Sequence, residues 1–443
     1  MDRRFEDRKQ AMLAECVAGA ELMSAPAHLK EFLRPFQNLL GPAAAEHSEE
    51  YAQGLLSNLE RKNVESIAYQ HDQDRRALQH FIGTAKWDYA PLLDELCRQV
   101  GAELGEPDAT LVIDPSSFPK CGKKSVGVAR QWCGRLGKVD NCQVGVFLGY
   151  VSRRDQALCD VRLYLPKEWT SKRSRCREAG VPYRTGHRTR HDLALEMIRE
   201  RRATLPHAWI AADDEFGKVA PFRHNLQQLD ERYLLAVPNN LTVRVLPSDE
   251  LPAARGALKP PPFVSLKTLA EQLPTQAWTQ VDVRDGEKGP LSVEVAILPT
   301  VQAKLQRRAM PYRETAVFIR YVDAHGTRHA DWYLSNAPLN TSAAEFARVA
   351  SAERRIEECF RRGKSEAGQA DYEVRTWLGW HHHQTLSLMA SWFLSHETRR
   401  GKKINTRTDL PSGPTDHRQA LVAAMEPNPE VSNSRRHDTS LAA

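Results

Sequence analysis

Apolar side chains recur at helical spacing through the first quarter of the chain. In LKEFLRPFQNLL and YAQGLLSNLE they lie three and four positions apart, and the alternation typical of strands does not occur there. The pattern predicts helices from about residue 8 to residue 100. Within this region, the segment from Leu59 to Asp88 resembles two short helices joined by a polar turn. Such a pair is typical of a helix-turn-helix DNA reader and equally of an ordinary helical bundle.

From residue 108 onward the pattern changes to short apolar runs of strand length. The first run, in ATLVIDPSSF, is expected to end at the Asp-Pro pair. The predicted elements are strands at 111–113, 143–152 and 160–166, a loop at 167–187, a helix at 190–202, a strand ending near residue 213, a second helix and a strand at 232–237. Three strands that can form a meander, followed by alternating helices and strands, indicate the α/β class.

A third pattern covers residues 240–340, where LSVEVAIL, TAVFIRYV and DWYLSN predict strands separated by a proline-rich stretch and polar turns. We interpret this part as a β-rich insertion. Helices resume near Ser342, and the apolar helix TLSLMASWFLS is expected to end before Gly401. The polar residues beyond it are predicted to be disordered.

These changes of pattern divide the chain into five parts. They are an all-helical N-terminal domain at 1–105, the first part of an α/β core at 106–239, the β-rich insertion at 240–340, the C-terminal helices of the core at 341–400 and a disordered tail at 401–443.

The composition narrows the class of protein. With 443 residues, 41% hydrophobic and 27% charged, the chain fits a globular protein of two or three domains. It has no run of about 18 apolar residues and no apolar segment near its charged N-terminus, so we expect a cytoplasmic protein that contacts no membrane. None of its eight cysteines forms a C-x-x-C pair, which predicts reduced thiols instead of a zinc site.

Positive charge is concentrated in two segments, although the net charge is only +6. From Lys167 to Arg190 there are eight Lys or Arg and two acids, and a second basic run extends from Arg399 to Lys403. Each segment is interpreted either as a contact surface for nucleic acid or as a solvated loop.

Three carboxylates are placed where they could meet. Asp114 and Asp213 each follow the C-terminal end of a predicted strand, so they lie side by side if those strands are neighbours. Glu357 is predicted on a helix, and Lys364, seven residues later, projects from nearly the same side. Taken singly, Asp114 could start a turn, Asp213 could cap a helix and Glu357 could be a solvated charge.

Carboxylates in this arrangement suit the cleavage of phosphodiesters. Two hard cations roughly 3.5–4 Å apart stabilise the attacking and the leaving oxygen together. Such cations prefer carboxylate oxygens as ligands, and without them neighbouring carboxylates repel each other.

Several long segments resemble the DDE transposases of bacterial insertion sequences, in particular the IS701 family. They are GLLSNLERKNVESIA, LVIDPSSFPKCGKKSVGVARQWCGRLGKVDNCQVGVFLGYVS, DVRLYLPKEW, WIAADDEFG and RIEECFRRGKSEAGQADYEVRTWLGWHHHQTLSLMA. The resemblance implies an RNase H-like catalytic core that is interrupted by a β-rich insertion and preceded by a helical domain that binds DNA.

The resemblance also implies roles for particular residues. The catalytic acids of the family fall on Asp114, on Asp213, four residues before Gly217, and on Glu357, while the family lysine falls on Lys364. The three acids would hold two Mg²⁺, for which Mn²⁺ could substitute, and the lysine would hold a phosphate near the scissile bond.

One departure concerns the motif Tyr-x2-Arg-x3-Glu-x6-Lys of related transposases that use a hairpin step. Ala350 and Glu353 occupy the places of its tyrosine and arginine, and Arg354 is displaced by one position. The catalytic glutamate is unaffected, but the sequence leaves the hairpin step in question.

The function implied is cut-and-paste transposition by a homodimer on double-stranded DNA, which would comprise the terminal inverted repeats of the element and the target. Two alternatives are a catalytically silent DNA-binding regulator and a structure-selective nuclease on the same fold. The candidate DNA-binding residues are Lys120, Lys123, Lys124, Arg130, Lys172, Arg173, Arg175, Arg177 and Arg361. Trp377, Trp380 and the three adjacent histidines at 381–383 are predicted to serve packing more than binding.

Overall fold

The structure, a computed structural model, describes residues 25–246, 261–286, 289–303, 313–322 and 326–405. Its N-terminal part is helical. The helices are α1 (Ala25–Gln37), α2 (Pro42–Leu56), α3 (Val64–Gln70), α4 (Arg75–Gly83) and α5 (Ala90–Leu104). Helix α3 begins where the Asn63 side chain accepts a hydrogen bond from the backbone of Ser66, and Asp74 caps α4 in the same way. The helical prediction is confirmed from residue 25 onward, and its residues 8–24 lie outside the described chain.

A mixed sheet follows these helices. Its strands are β1 (Thr110–Pro119), β2 (Ala129–Cys133), β3 (Lys138–Val151), β4 (Gln156–Leu163), β5 (Trp209–Ala212), β6 (Tyr233–Ala236), β7 (Thr242–Val245), β8 (Val264–Ser265), β9 (Trp278–Gly286), β10 (Gly289–Ala303), β11 (Glu314–Val322) and β12 (Arg328–Ser335). Between them lie α6 (Lys167–Thr170), α7 (Arg173–Glu178), α8 (Arg190–Arg201), α9 (Asp214–Gly217), α10 (Ala220–Gln228) and α11 (Leu266–Gln272). The α/β class predicted for the core is confirmed.

The first half of the sheet has the strand order β4-β3-β1-β5-β6, and β2 also pairs with β3. Strand β1 runs antiparallel to β3 and parallel to β5, which in turn runs parallel to β6. Because parallel neighbours end at the same edge of a sheet, the residues that follow β5 lie beside the second half of β1.

The β-rich segment extends this sheet and does not form a separate one. Strand β12 pairs antiparallel with β6, and β11, β10, β7 and β8 continue the order outward. Strand β9 pairs with β10 as well. The predicted insertion therefore covers the edge that β6 would otherwise expose, as edge strands commonly require.

Two predictions about the secondary structure of this region were wrong. Strand β1 does not end at the Asp-Pro pair but continues to Pro119. Its pairing with β5 stops at Ile113, so Pro115 has a strand neighbour only on the β3 side among the described residues. A proline is tolerated where one side of a strand is unpaired. The segment 167–187, predicted as a loop, contains the short helices α6 and α7.

Two long helices complete the described chain, α12 (Ala343–Glu366) and α13 (Trp377–Asn405). Helix α12 starts at Ser342, whose side chain accepts from the backbone of Glu345. Helix α13 continues past Gly401, so the predicted end before that residue was wrong. A single glycine costs a helix only about 1 kcal/mol relative to alanine. The predicted disordered tail lies outside the described residues from position 406.

One hydrophobic core joins most of these elements. Buried side chains of the N-terminal helices, the sheet, α12 and α13 form a continuous cluster that includes Leu33, Phe81, Ile113, Ile356 and Trp380. A smaller cluster lies between α11 and the outer strands of the insertion. Among the described helices, none has both the length and the apolar content that a membrane crossing requires.

Candidate active site

Asp114 and Asp213 lie at adjoining strand positions. Ile113 of β1 is the register partner of Ala212 of β5, and one aspartate follows each of them. The backbone amides of Glu215 and Phe216 lie 3.1 and 3.4 Å from Oδ1 of Asp213 and donate hydrogen bonds to it. Asp213 therefore caps the short helix α9, as its alternative interpretation predicted, and still lies beside Asp114.

Gly217 explains why the chain can turn so tightly after Asp213. A Cβ atom at this position would lie 1.8 Å from the carbonyl oxygen of Ala236 at the end of β6. Only a residue without a side chain allows this approach. The glycine thus holds α9, and with it the start of the turn at Asp213, against the edge of the sheet.

Helix α12 lies across the sheet above the same edge. At Gly149 of β3, a Cβ atom would lie 2.4 Å from Cδ1 of Ile356, so the missing side chain lets the helix approach closely. Ile356 is fully buried, whereas the next residue, Glu357, is exposed. The half-buried Lys364 has its Nζ 5.8 Å from the centre of the Phe118 ring.

The charges of these side chains act on one another. Burial and, to a smaller extent, the negative charges of Asp213 and Glu357 raise the pKa of Asp114 to about 8, while Lys364 acts in the opposite direction. Burial also raises the pKa of Asp213 to about 6, together with the charges of Glu215 and Asp214. Removal from water and like charges both disfavour the ionised form. The structure thus brings together all four residues that the sequence singled out for chemistry.

Glu353 is a further acid that the sequence prediction did not assign to the site. Its Oε1 is shielded from solvent and has no hydrogen-bond partner in the part of the chain that the structure describes. Burial raises its pKa well above the usual range, and the charges of Asp213, Asp114, Asp331 and Glu357 act in the same direction. The signal in the sequence was its spacing, because residues four apart on a helix share one face.

A cavity opens between α12 and the insertion at this edge. It is lined by Glu353, Glu357 and Arg354 of α12, by Asp214, and by residues of β6, β11, β12 and the turn after β6. Arg354 lies 4.2 Å from the centre of the Tyr321 ring, and one of its guanidinium nitrogens lies 3.7 Å from Asp331. The β-rich insertion therefore forms one wall of the candidate active site, which the strand pattern alone did not predict.

Glu215 connects this edge to the basic segment. Arg190, the first residue of α8, donates two hydrogen bonds to the Glu215 carboxylate, at 2.8 and 2.7 Å. The guanidinium also lies 5.0 Å from the centre of the Tyr164 ring. This arginine partly neutralises an acid whose charge raises the pKa of Asp213.

The donor set at this edge fits a divalent cation. Within the described ranges, no three His, Cys, Asp or Glu side chains lie close enough to hold one metal ion as they stand. Repulsion keeps carboxylates apart when no cation is present. The orphaned Oε1 of Glu353 and the uncompensated burial of Asp114 are nevertheless what a hard cation would satisfy. These carboxylates are the side chains of the described chain that would hold a divalent cation at this edge.

The candidate DNA-binding residues fall into two groups. Two of them are partly buried by contacts within the protein: Lys120 Nζ donates to the carbonyl of Tyr372 at 2.8 Å, and the Arg175 guanidinium lies 3.7 Å from the centre of the Trp169 ring. Burial lowers the pKa of Lys120 to about 8. The others are exposed: Lys123, Lys124, Arg130, Lys172, Arg173, Arg177 and Arg361. Their contact with DNA stays a prediction.

The histidine run on α13 serves packing, as predicted. All three rings are buried, and so are Trp377 and Trp380. His382 stacks on Trp87 with ring centres 3.6 Å apart, and His383 Nδ1 lies 2.8 Å from the hydroxyl of Tyr51. The histidines therefore join α13 to the N-terminal helices. The described cysteines are free thiols.

Comparison with known proteins defines the family. The family described as DDE superfamily endonuclease matches residues 35–290, more than half of the chain, and this protein belongs to that family. A curated relative, "Probable transposase for insertion sequence element IS701" from Microchaete diplosiphon, is 29% identical over 201 residues, which cover 45% of this chain. The matched part spans 50% of that relative's length.

A solved structure is similar along most of the chain. It is the cryo-EM structure of the piggyBac transposase synaptic complex with hairpin DNA, with 9% sequence identity and a TM-score of 0.40. The similarity covers 96% of this chain and 82% of the other.

Proposed function

We propose that this protein is a transposase that cleaves and rejoins DNA at the ends of an insertion-sequence element. The observation that carries the proposal is the pairing of Asp114 and Asp213 at adjoining strand positions beneath a helix that brings Glu357 and Lys364. Membership in the DDE superfamily endonucleases supports it. The strand order β4-β3-β1-β5-β6, antiparallel and then parallel, supports an RNase H-like core.

In this proposal Asp114, Asp213 and Glu357 hold two divalent cations. The cations supply charge stabilisation at the attacking and the leaving oxygen of the phosphodiester. Asp213 is held in place by the two amide hydrogen bonds from α9, so its orientation does not depend on a bound ligand. Glu357 is exposed on the cavity, where its carboxylate would be the third ligand.

Lys364 has the properties of a phosphate contact. It is half-buried beside aromatic rings, and burial lowers its pKa, with Arg135 adding to the effect and Asp114 opposing it. A lysine in such a place is a compact cation whose desolvation strengthens its attraction to an anion. We propose that it holds a phosphate next to the scissile bond.

Cutting both ends of an element requires two active sites, so we propose that the protein acts as a homodimer on double-stranded DNA. The exposed lysines and arginines of the loop after β1 and of α7 are the proposed contacts with DNA phosphates.

The experiment that tests this function is cleavage of DNA that carries the element end, in Mg²⁺ and in Mn²⁺. We expect Asp114→Asn to abolish cleavage while DNA binding persists. Asp108→Asn is the matched control, since Asp108 precedes the same strand, lies away from the edge and pairs with Arg153 at 2.6 Å. Cleavage by the Asp114 variant at the wild-type rate would overturn the assignment. Cleavage without joining of the freed 3′-OH to target DNA would support a nuclease over a transposase.

A further inference from the structure

Glu353 has a shielded carboxylate oxygen and does not belong to the proposed site of three carboxylates, Asp114, Asp213 and Glu357. It lies one helical turn before Glu357 on α12, and both residues line the same cavity. Its Oε1 is hidden from solvent and receives no hydrogen bond from any residue that the structure describes.

A shielded carboxylate oxygen without a hydrogen bond, such as Oε1 of the half-buried Glu353, adds to the cost of the ionised form. Buried ionised groups are therefore paired, protonated or bound to metal. The neighbours of Glu353 increase the cost, because Asp213, Asp114 and Asp331 all bear the same sign of charge. Arg354 of the next position does not relieve it, since that side chain extends to Tyr321 and Asp331 of the insertion.

We propose that Glu353 is a fourth acidic ligand of the cation site and acts with Asp114 and Asp213. This inference rests on the function proposed above. Four carboxylates carry four negative charges, which two divalent cations would balance. The two glutamates of α12 would then have different roles. Glu353, with its shielded oxygen, would bind the cation before DNA binds, and the exposed Glu357 would become a ligand when the substrate is in place.

The test is Mn²⁺ binding by the full chain without DNA. The electron paramagnetic resonance signal of free Mn²⁺ measures how much of the ion is bound. We expect Glu353→Gln to raise the Kd by about 10-fold or more, as loss of a supporting ligand group typically does. Glu357→Gln should raise it less. Glu358→Gln is the matched control, because Glu358 lies on the same helix and pairs with Arg361 at 2.6 Å.

Thermal unfolding with and without Mn²⁺ is the second measurement. A ligand that binds the native state raises the thermal midpoint according to its affinity. We expect Glu353→Gln to unfold at a higher temperature than the wild type without metal, and to gain less from added Mn²⁺. Glu353→Asp keeps the charge and should retain part of the affinity, which separates loss of the ligand from damage to the fold.

Each outcome decides the inference. Equal Kd and an equal Mn²⁺-induced rise for Glu353→Gln and the wild type would overturn it, and would indicate a permanently protonated Glu353. If Asp114→Asn also binds Mn²⁺ normally, the cation site of the proposed function fails. If Asp114→Asn loses binding and Glu353→Gln does not, only the role of Glu353 fails.

Discussion

Helices α12 and α13 both carry polar side chains that are shielded from solvent. The hydrogen bonding of these side chains differs between the two helices. On α13 the ring nitrogens of His383 meet the Tyr51 hydroxyl at 2.8 Å and the carbonyl of Gln369 at 3.3 Å. On α12 the Oε1 of Glu353 meets no donor among the described residues. The His383 ring is therefore partnered, although Oε1 of Gln384 and Oγ1 of Thr385 on the same helix have no partner among the described residues. On α12 the atom without a partner belongs to an acid.

Other buried charged side chains have hydrogen-bond partners, as His383 of α13 does. Arg223 donates to Glu314 at 2.7 Å, and both side chains are almost completely buried. Arg201 donates to the buried Asp160 at 2.6 Å. Paired charges of this kind belong to the fold, because each ion satisfies the other. The shielded Oε1 of Glu353 has no such partner among the described residues, and the charges that act on it are negative.

From this difference we expect the acidic edge to serve activity and the histidine region to serve stability. The largest effect is expected at Asp213. Asp213→Ala should lower DNA cleavage by about 10³-fold or more, since metal-assisted charge stabilisation contributes several kcal/mol to the transition state. Asp214→Ala, in the exposed neighbour, should retain most of the activity.

Single-turnover cleavage of element-end DNA is the measurement for this pair. The reverse ranking of the two variants would show that the functional aspartate is Asp214 and that the motif is shifted by one position.

The second effect concerns stability. His383→Leu removes the partner of the buried Tyr51 hydroxyl, whereas the Gln369 carbonyl still accepts from Nε2 of Gln384 at 3.1 Å. We expect a loss of about 2–3 kcal/mol in the free energy of unfolding, because a buried polar group is left without a partner. His80→Leu, at an exposed position of α4, should change it by less than about 0.5 kcal/mol.

Denaturant titration measures the free energy of unfolding of both histidine variants. Their Mn²⁺ affinity, which should not change, is the control. An unchanged unfolding free energy for His383→Leu, or a changed Mn²⁺ affinity, would remove the distinction between the two regions.

The third effect concerns the pH dependence of stability. The sign of this dependence differs between His383 and Asp114. Burial lowers the pKa of His383 to about 3 from 6.5, so the unfolded chain takes up the proton first and stability falls as the pH drops from 6.5 towards 3. Burial raises the pKa of Asp114 from 3.8 to about 8, so without metal its contribution to stability is lost as the pH rises from 3.8 through 8.

Unfolding free energies of the metal-free protein across this pH range test the two signs. Relative to the wild type, Asp114→Asn should gain stability towards pH 8, and His383→Leu should lose less stability on acidification. Equal slopes for Asp114→Asn and the wild type above pH 6 would contradict the buried, uncompensated state of Asp114.

The smallest effect is expected at the exposed basic surface. Lys172, Arg173 and Arg177 are exposed, and the hydrogen bonds from Arg173 to the carbonyls of Tyr183 and Thr185 are exposed too, so the joint change to Gln should leave the core intact. Each of these cations that binds a DNA phosphate contributes about one unit to the slope of log affinity against log salt. The triple variant should therefore show a shallower slope, for element-end and random DNA alike. Arg175 is kept, because it packs on Trp169.

Filter binding at several salt concentrations measures this slope. The matched control changes Arg98, Arg153 and Arg202 to Gln, which removes the same charge from other exposed positions. If both triple variants show the same slope, net charge and not this surface governs DNA binding.

Much of the fold and of the candidate site follows from the sequence. The helical spacing before residue 105, the strands around Asp114 and Asp213 and the helix of Glu357 could all be predicted, because periodicity is a local property of the chain. The placement of two aspartates after two apolar strands and the glycine of WIAADDEFG were enough to single out the acidic edge. The end of β1 was mispredicted because the tolerance of Pro115 depends on which neighbour strand has already ended.

Only the tertiary structure decided which polar residues have partners. Tyr51 and His383 are 332 positions apart, and no local pattern relates them. The position of Glu353 among carboxylates depends equally on distant elements, since β1, the turn after β5 and β12 each bring one of its acidic neighbours. The wall that the insertion forms arises from the pairing of β12 with β6. Hydrophobic pattern is encoded residue by residue, whereas partnership and burial arise only when remote segments pack together.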